Sequence, residues 1–237
     1  MEKKFIALFF GIAFIFTSLR AQNDDSPSYA QVKGKTVISQ FHTVDKPQTP
    51  EGIFLNALLW VIENREEPEE EKKPLIKTDY DKKQFEVEMV QTNPETASRY
   101  RYLLSVKVSH NIITMLVSNI AYEAETAVIK LVKRLPFEKL QPEKKPKHQE
   151  YLDEFAALCK TNSTEMLKAI TGNEPPVVTH WTEIKERSVT KGMSEAECIL
   201  AMGKPASVQK QGAKAEWMYD AYTYLFFENG ILTSFIK

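Results

Sequence analysis

The chain has 237 residues, of which 43% are apolar and 27% charged, with 31 Lys plus Arg against 32 Asp plus Glu. That is apolar enough for a real core and too apolar for a disordered chain, and the length allows one large domain or two small ones. A formal charge of -1 leaves no nucleic-acid or anionic-membrane footprint, and eight glycines are few for loops that cradle phosphates.

Lys3 and Lys4 precede an apolar run from Phe5 to Leu19 that is interrupted only by Gly11, Thr17 and Ser18. The run is shorter than the roughly 20 residues of a spanning helix, and a small residue, Ala21, stands before Gln22. Residues 1–21 therefore read as a secretory signal peptide. The Ala21-Gln22 end resembles signal peptides of Bacteroidota. No Cys lies near residue 21, so no lipid anchor is expected. Cleavage there leaves 28 basic and 31 acidic side chains. The expectation is a periplasmic or secreted protein with no stable membrane span after cleavage.

Residues 22–33 are polar and read as a flexible segment. A β-branched and aromatic stretch from Lys35 to Val44 predicts a strand. Thr49-Pro50-Glu51 is a helix start, with Thr49 as N-cap, Pro50 in the first helical position and an acid in the first turn. Ile53, Phe54, Ala57, Leu58, Trp60, Val61 and Ile62 give that helix a wide apolar face that must pack on a sheet. It runs out at Asn64. Residues 65–73, Arg-Glu-Glu-Pro-Glu-Glu-Glu-Lys-Lys, read as a solvated connector rather than an acidic recognition loop.

Strands are predicted over 75–78, 85–89, 100–108 and 112–122, each from alternation or β-branched content. Asp79-Tyr80-Asp81 reads as a hairpin turn rather than the start of a calcium site, and His110-Asn111 as another turn. Residues 124–135 are ambiguous between strand and helix. Pro136, Pro142 and Pro146 break the chain among lysines, and Lys133-Arg134 with Lys144 to His148 reads as a solvated basic linker. Tyr151 to Thr171 forms a second helix, stopped by Gly172 and Pro175-Pro176.

Gly34-Lys35-Thr36-Val37, the Thr49-Pro50-Glu51 helix and the strand pair from Tyr100 to Tyr122 resemble an exported Bacteroidota family of unknown function with a TATA-binding-protein-like (TBP-like) fold. The resemblance covers residues 34–171 and implies topology, not DNA binding.

Beyond the proline break, Ser194-Glu195-Ala196-Glu197 is a capping box, and Gly203-Lys204-Pro205 stops the short helix. Trp217 to Tyr219 predicts a strand. Tyr222 to Glu228 and Ile231 to Ile236 predict a hairpin closed by a type I′ turn at Asn229-Gly230. Gly192-Met193-Ser194, Gly203-Lys204-Pro205, Trp217-x-Tyr219 and Phe227-Glu228-Asn229-Gly230 resemble the SmpA/OmlA (BamE-like) family. That resemblance implies a small helix-on-sheet domain that binds other envelope proteins or docks inside its own chain. The assembly lipoprotein of that family carries a lipid on an N-terminal Cys, which this chain lacks.

The expected fold is therefore α+β in two small domains. The first, over 34–172, is a TBP-like antiparallel sheet with two helices. The second, over 188–237, is a helix with an antiparallel three-stranded sheet, and residues 173–187 link the two. With Asn229-Gly230 as the turn, Phe227 opposes Leu232 and Tyr224 opposes Phe235. Parity then puts Thr223, Leu225, Phe227, Leu232 and Ile236 over the helix around Ile199 and Met202. The other face holds Tyr222, Tyr224, Phe226, Ile231 and Phe235. It is either covered by the first domain, with Trp181 as the candidate, or a patch for a partner protein.

Cys159 and Cys198 fall on apolar helix faces and read as separate core thiols, with a disulfide between them as the alternative that an oxidising compartment permits. His42, His110, His148 and His180 are far apart and read as surface or turn residues. No phosphate loop, nucleophile elbow, His-Glu-x-x-His or Cys-x-x-Cys occurs, so no cofactor, metal site or catalytic residue is expected. The expected function is non-catalytic binding of a protein or peptide, or scaffolding, in the cell envelope, without nucleic acid. Inhibitor-like binding of an envelope enzyme is the alternative, by analogy, and a hydrolase is a more distant one.

Overall fold

The computed structural model describes residues 28–32, 35–45, 48–66, 76–125, 132–141 and 143–237. The predicted signal peptide and most of the acidic connector lie outside them. Seven strands form the first sheet: β1 (Ser28–Val32), β2 (Lys35–Thr43), β3 (Lys77–Asp79), β4 (Gln84–Thr92), β5 (Arg99–Ser109), β6 (Ile112–Glu125) and β7 (Val132–Pro136). Their order is β1-β2-β6-β5-β4-β3, with β7 also on β6, and every pairing is antiparallel. β1 forms within the polar segment expected to be flexible. Part of the ambiguous 124–135 stretch is strand, the ends of β6 and β7.

Alternation fixes one face of this sheet. Phe85 pairs with Val106, which pairs with Met115; Val87, Leu104, Val117 and Ile38 make the next row. All are buried. Two helices cover this face, α1 (Pro50–Asn64) and α2 (Lys147–Gly172). Phe54 of α1 meets Phe85 with ring centres 6.1 Å apart, and Phe155 of α2 sits 5.1 Å from Tyr100 and 5.3 Å from Tyr102. The predicted start of α1 is present: the Thr49 hydroxyl accepts from Gly52 N at 3.0 Å and Pro50 is the first helical residue. His42 is not a surface residue. It lies on the inward parity of β2, beside Ile113, and is buried.

The segment expected to be a linker is tied down. Gln48 Nε2 donates to Ile170 O at 2.8 Å and Asn56 Nδ2 to Asn173 O at 3.2 Å, so the chain leaving α2 is strapped across α1. The segment then forms α3 (Trp181–Glu186), whose Ile184 is buried and whose Trp181 ring meets Tyr80 at 5.5 Å. α4 (Glu195–Met202) starts at the predicted capping box. The Ser194 hydroxyl accepts from Glu197 N at 3.2 Å, and the Glu197 carboxylate accepts from Ser194 N at 2.8 Å.

The C-terminal sheet has four strands, not three. They are β8 (Ser207–Gln211), β9 (Lys214–Met218), β10 (Tyr224–Glu228) and β11 (Ile231–Ile236), in the order β11-β10-β9-β8. The additional strand, β8, is an exposed edge that reads Ser-Val-Gln-Lys-Gln, so it carries no burial pattern to read. α1 packs against α2 and β5 and also against α4, and one continuous set of buried apolar residues runs from the first sheet to the second. Among the described residues, no helix is long and apolar enough to cross a membrane.

Candidate functional site

The C-terminal hairpin turns at Asn229 and Gly230 with φ of 50° and 77°, the two left-handed residues of a type I′ turn. Glu228 then pairs with Ile231 and Phe227 with Leu232, as parity requires. The register slips between Phe226 and Phe227, and Thr233 is the extra residue. Its hydroxyl donates to Phe226 O at 3.0 Å. Beyond this bulge Phe226 pairs with Ser234, Leu225 with Phe235 and Tyr224 with Ile236.

The bulge rearranges the two faces. Leu225, Phe227 and Leu232 are buried with Trp217, whose ring centre is 4.5 Å from Phe227. Phe235, expected opposite Tyr224, joins this inner side at its margin, 38% exposed. Ile236, expected inside, moves to the outer side and is 55% exposed. The physical reason is spacing. Leu232 and Phe235 are three residues apart, and a strict period of two cannot direct both inward, whereas one bulged residue can. On α4, Cys198, Leu200 and Ala201 are buried, while Ile199 and Met202 are only partly so.

The outer face therefore carries Tyr224, Phe226, Ile231 and Ile236, with Met218 and Glu216 beside them on β9. Ile231 is 43% exposed. Tyr222 is not in a strand. It stands in a turn where Asp220 accepts from Tyr222 N and Thr223 N, both at 2.8 Å, and its side chain is 79% exposed. A groove of about 480 Å³ crosses this side, lined among others by Gln209, Glu216, Phe226 and Ser234. Trp181 does not cover it, being packed on Tyr80. One edge of the sheet is partly occupied: Leu232 N donates to Met193 O at 2.8 Å, and Gly192 N to Leu232 O at 2.9 Å.

The remaining polar groups are committed to structure. Burial alone would raise the Glu123 pKa, but Arg101 and Arg134 donate to it at 2.7 and 2.9 Å and hold it below the usual carboxylate range. The same Arg134 was read as part of a basic linker. The Asp79 carboxylate accepts from Lys82 N at 3.0 Å, so Asp79-Tyr80-Asp81 is the expected turn. His148 Nδ1 accepts from Gln141 N at 2.8 Å in the first turn of α2. Cys159 and Cys198 are buried free thiols, both pushed up to about 12 by burial. Among the described residues, no group of three or more His, Cys, Asp or Glu could hold a metal ion.

No family model matches the chain, and no curated protein matches it. Similar solved structures include a TBP-like protein from Parabacteroides distasonis, with 15% identity, covering 64% of this chain and 100% of that one at a TM-score of 0.48. A DUF4468 family protein from Bacteroides ovatus shows 12% identity and covers 68% of this chain and 98% of that one at a TM-score of 0.44. The likeness is distant and partial, and extends to the TBP-like fold alone. The SmpA/OmlA resemblance finds no support. The features that carried it, a capping box, a C-cap glycine and an Asn-Gly hairpin, are local backbone devices that recur across unrelated folds.

Proposed function

We propose that the protein is a non-catalytic binding or scaffolding component of the cell envelope, exported by the segment before Gln22, and that it engages a protein or peptide through the outer face of its C-terminal sheet. One observation carries this reading: Tyr222, Ile231 and Ile236 stand exposed around half-buried Tyr224 and Phe226, on a sheet side where a solvated protein places polar residues. Rigid aromatic side chains flanked by aliphatic ones make effective anchors, because they bury much area at little entropic cost. A non-catalytic role agrees with the state of the buried carboxylates. Glu123 and Glu197 are each neutralised by several donors and have none of the raised pKa that a general acid needs.

The test is the double variant Tyr224→Ser with Phe226→Ser, made in the full chain and expressed in its native envelope. The expected outcome is an unchanged melting temperature with loss of the co-purifying partner. A large drop in melting temperature would show that the face is internal packing instead. No change in either would refute the reading. Export is checked separately by intact mass, which should show loss of residues 1–21.

A further inference from the structure

A second concave region lies away from the sheet face. α1, the β3–β4 hairpin, α3 and the C-terminal end of α4 enclose a cleft of about 420 Å³. That volume falls within the roughly 300–1,000 Å³ of small-molecule sites. Its floor is apolar, made by Leu58 and Ile62 of α1 with Leu200 and Met202 of α4. Its rim is cationic: Arg65, Lys185 and Arg187 line it against a single carboxylate, Asp220. The Asp220 oxygens are already engaged by Tyr222 N, Thr223 N and the Thr223 hydroxyl.

Two features show how the cations are held at this rim. Arg65 is only 7% exposed, so its guanidinium is largely desolvated where it meets the cleft. Arg187 closes α3 in the left-handed conformation, φ 56° and ψ 40°, a position that glycine usually fills. A long side chain at that conformational cost puts a guanidinium at the cleft, where Nη2 donates to Ile76 O at 3.1 Å. That bond uses one of the five N–H donors of an Arg. The lining therefore offers an apolar body-binding surface next to a surplus of positive charge.

We propose that this cleft binds a small amphiphilic monoanion. The apolar body, about ten carbons long, lies along Leu58 and Leu200, and the carboxylate or sulfonate head meets Lys185 and Arg187. A neutral analogue gains only the apolar contacts, and a cationic one meets like charge at the rim.

The experiment is calorimetric titration of the full chain with decanoate, decanol and decyltrimethylammonium. The expected result is one decanoate site per chain, at least tenfold weaker binding of decanol, and no binding of the cation. Lys185→Glu, at a half-exposed position, should leave the ligand-free melting temperature unchanged and weaken decanoate at least tenfold. Met202→Trp, which fills the cleft from its partly exposed wall, should abolish binding. The proposal is overturned if decanoate shows no saturable site, if decanol binds as tightly, if Lys185→Glu leaves the affinity unchanged, or if Met202→Trp still binds.

Discussion

The carboxylate of Glu197 holds His180 at two points: the backbone nitrogen and ring Nδ1 of His180 each lie 3.0 Å from Oε1. The same oxygen accepts from Thr179 N at 2.7 Å, and the other oxygen from Ser194 N at 2.8 Å. One buried side chain thus caps α4 and pins the strand-like segment before α3 to it. Burial alone would raise its pKa, but the amides of Ser194, Thr179 and His180 and the His180 ring overcome that and hold it at about 2.

Replacing Glu197 by Ala removes the acceptor for three backbone amides in a closed site. The expected loss is about 3 kcal/mol, the sum of a broken cap and unsatisfied buried donors. Urea denaturation checks it. Glu197→Gln, which keeps one carbonyl oxygen, should lose less.

The same group sets a pH dependence. Its folded pKa of about 2 lies below the ordinary 4.5. Its contribution to stability is therefore complete above pH 4.5 and is lost as pH falls from 4.5 towards 2. Denaturation midpoints measured across that window should fall steeply for the unaltered protein and less steeply for Glu197→Ala.

Gly52 is needed for a close approach. A Cβ there would lie 2.6 and 2.9 Å from two ring carbons of Pro175. Gly52→Ala should therefore displace the segment crossing α1 and cost about 1–3 kcal/mol, as overpacking does. Gly172→Ala, where nothing lies within 4 Å, is the control and should be neutral or stabilising by about 0.5–1 kcal/mol. Paired thermal melts distinguish the two.

Neither thiol should react with a thiol reagent in the folded protein at pH 8, since burial pushes both Cys159 and Cys198 up to about 12. In denaturant two thiols should label. A single labelled thiol, or none, would contradict the free state of the pair.

Local backbone chemistry was legible in the residues. Thr49-Pro50-Glu51, Ser194 with Glu197, and Asn229-Gly230 each announce their structure within four positions, because caps and tight turns are satisfied by neighbours in sequence. β1 and β8 were not legible. As edge strands, each pairs through its backbone on one side, so β8 can be Ser-Val-Gln-Lys-Gln with no alternation. α3 was missed because its six residues are positioned by Ile184 in the shared core and Trp181 on Tyr80, contacts distant in sequence. The aromatic face was legible as far as Tyr224, Phe226 and Ile231. Its last members, Phe235 and Ile236, changed places because one bulged residue inverts all parity beyond it.

α1 is buried around most of its circumference, with Gly52 to Leu58 and Trp60 to Ile62 all enclosed. Such a helix has no water-facing side to fall back on when either layer leaves it. Any partial opening that separates α4 from α1 uncovers an apolar run with no charge between Ile53 and Ile62. Two opened molecules can satisfy that surface with one another faster than each recloses. Heat denaturation of this protein is therefore expected to be irreversible and concentration-dependent, so that its durability is set by the rate of that opening rather than by an equilibrium.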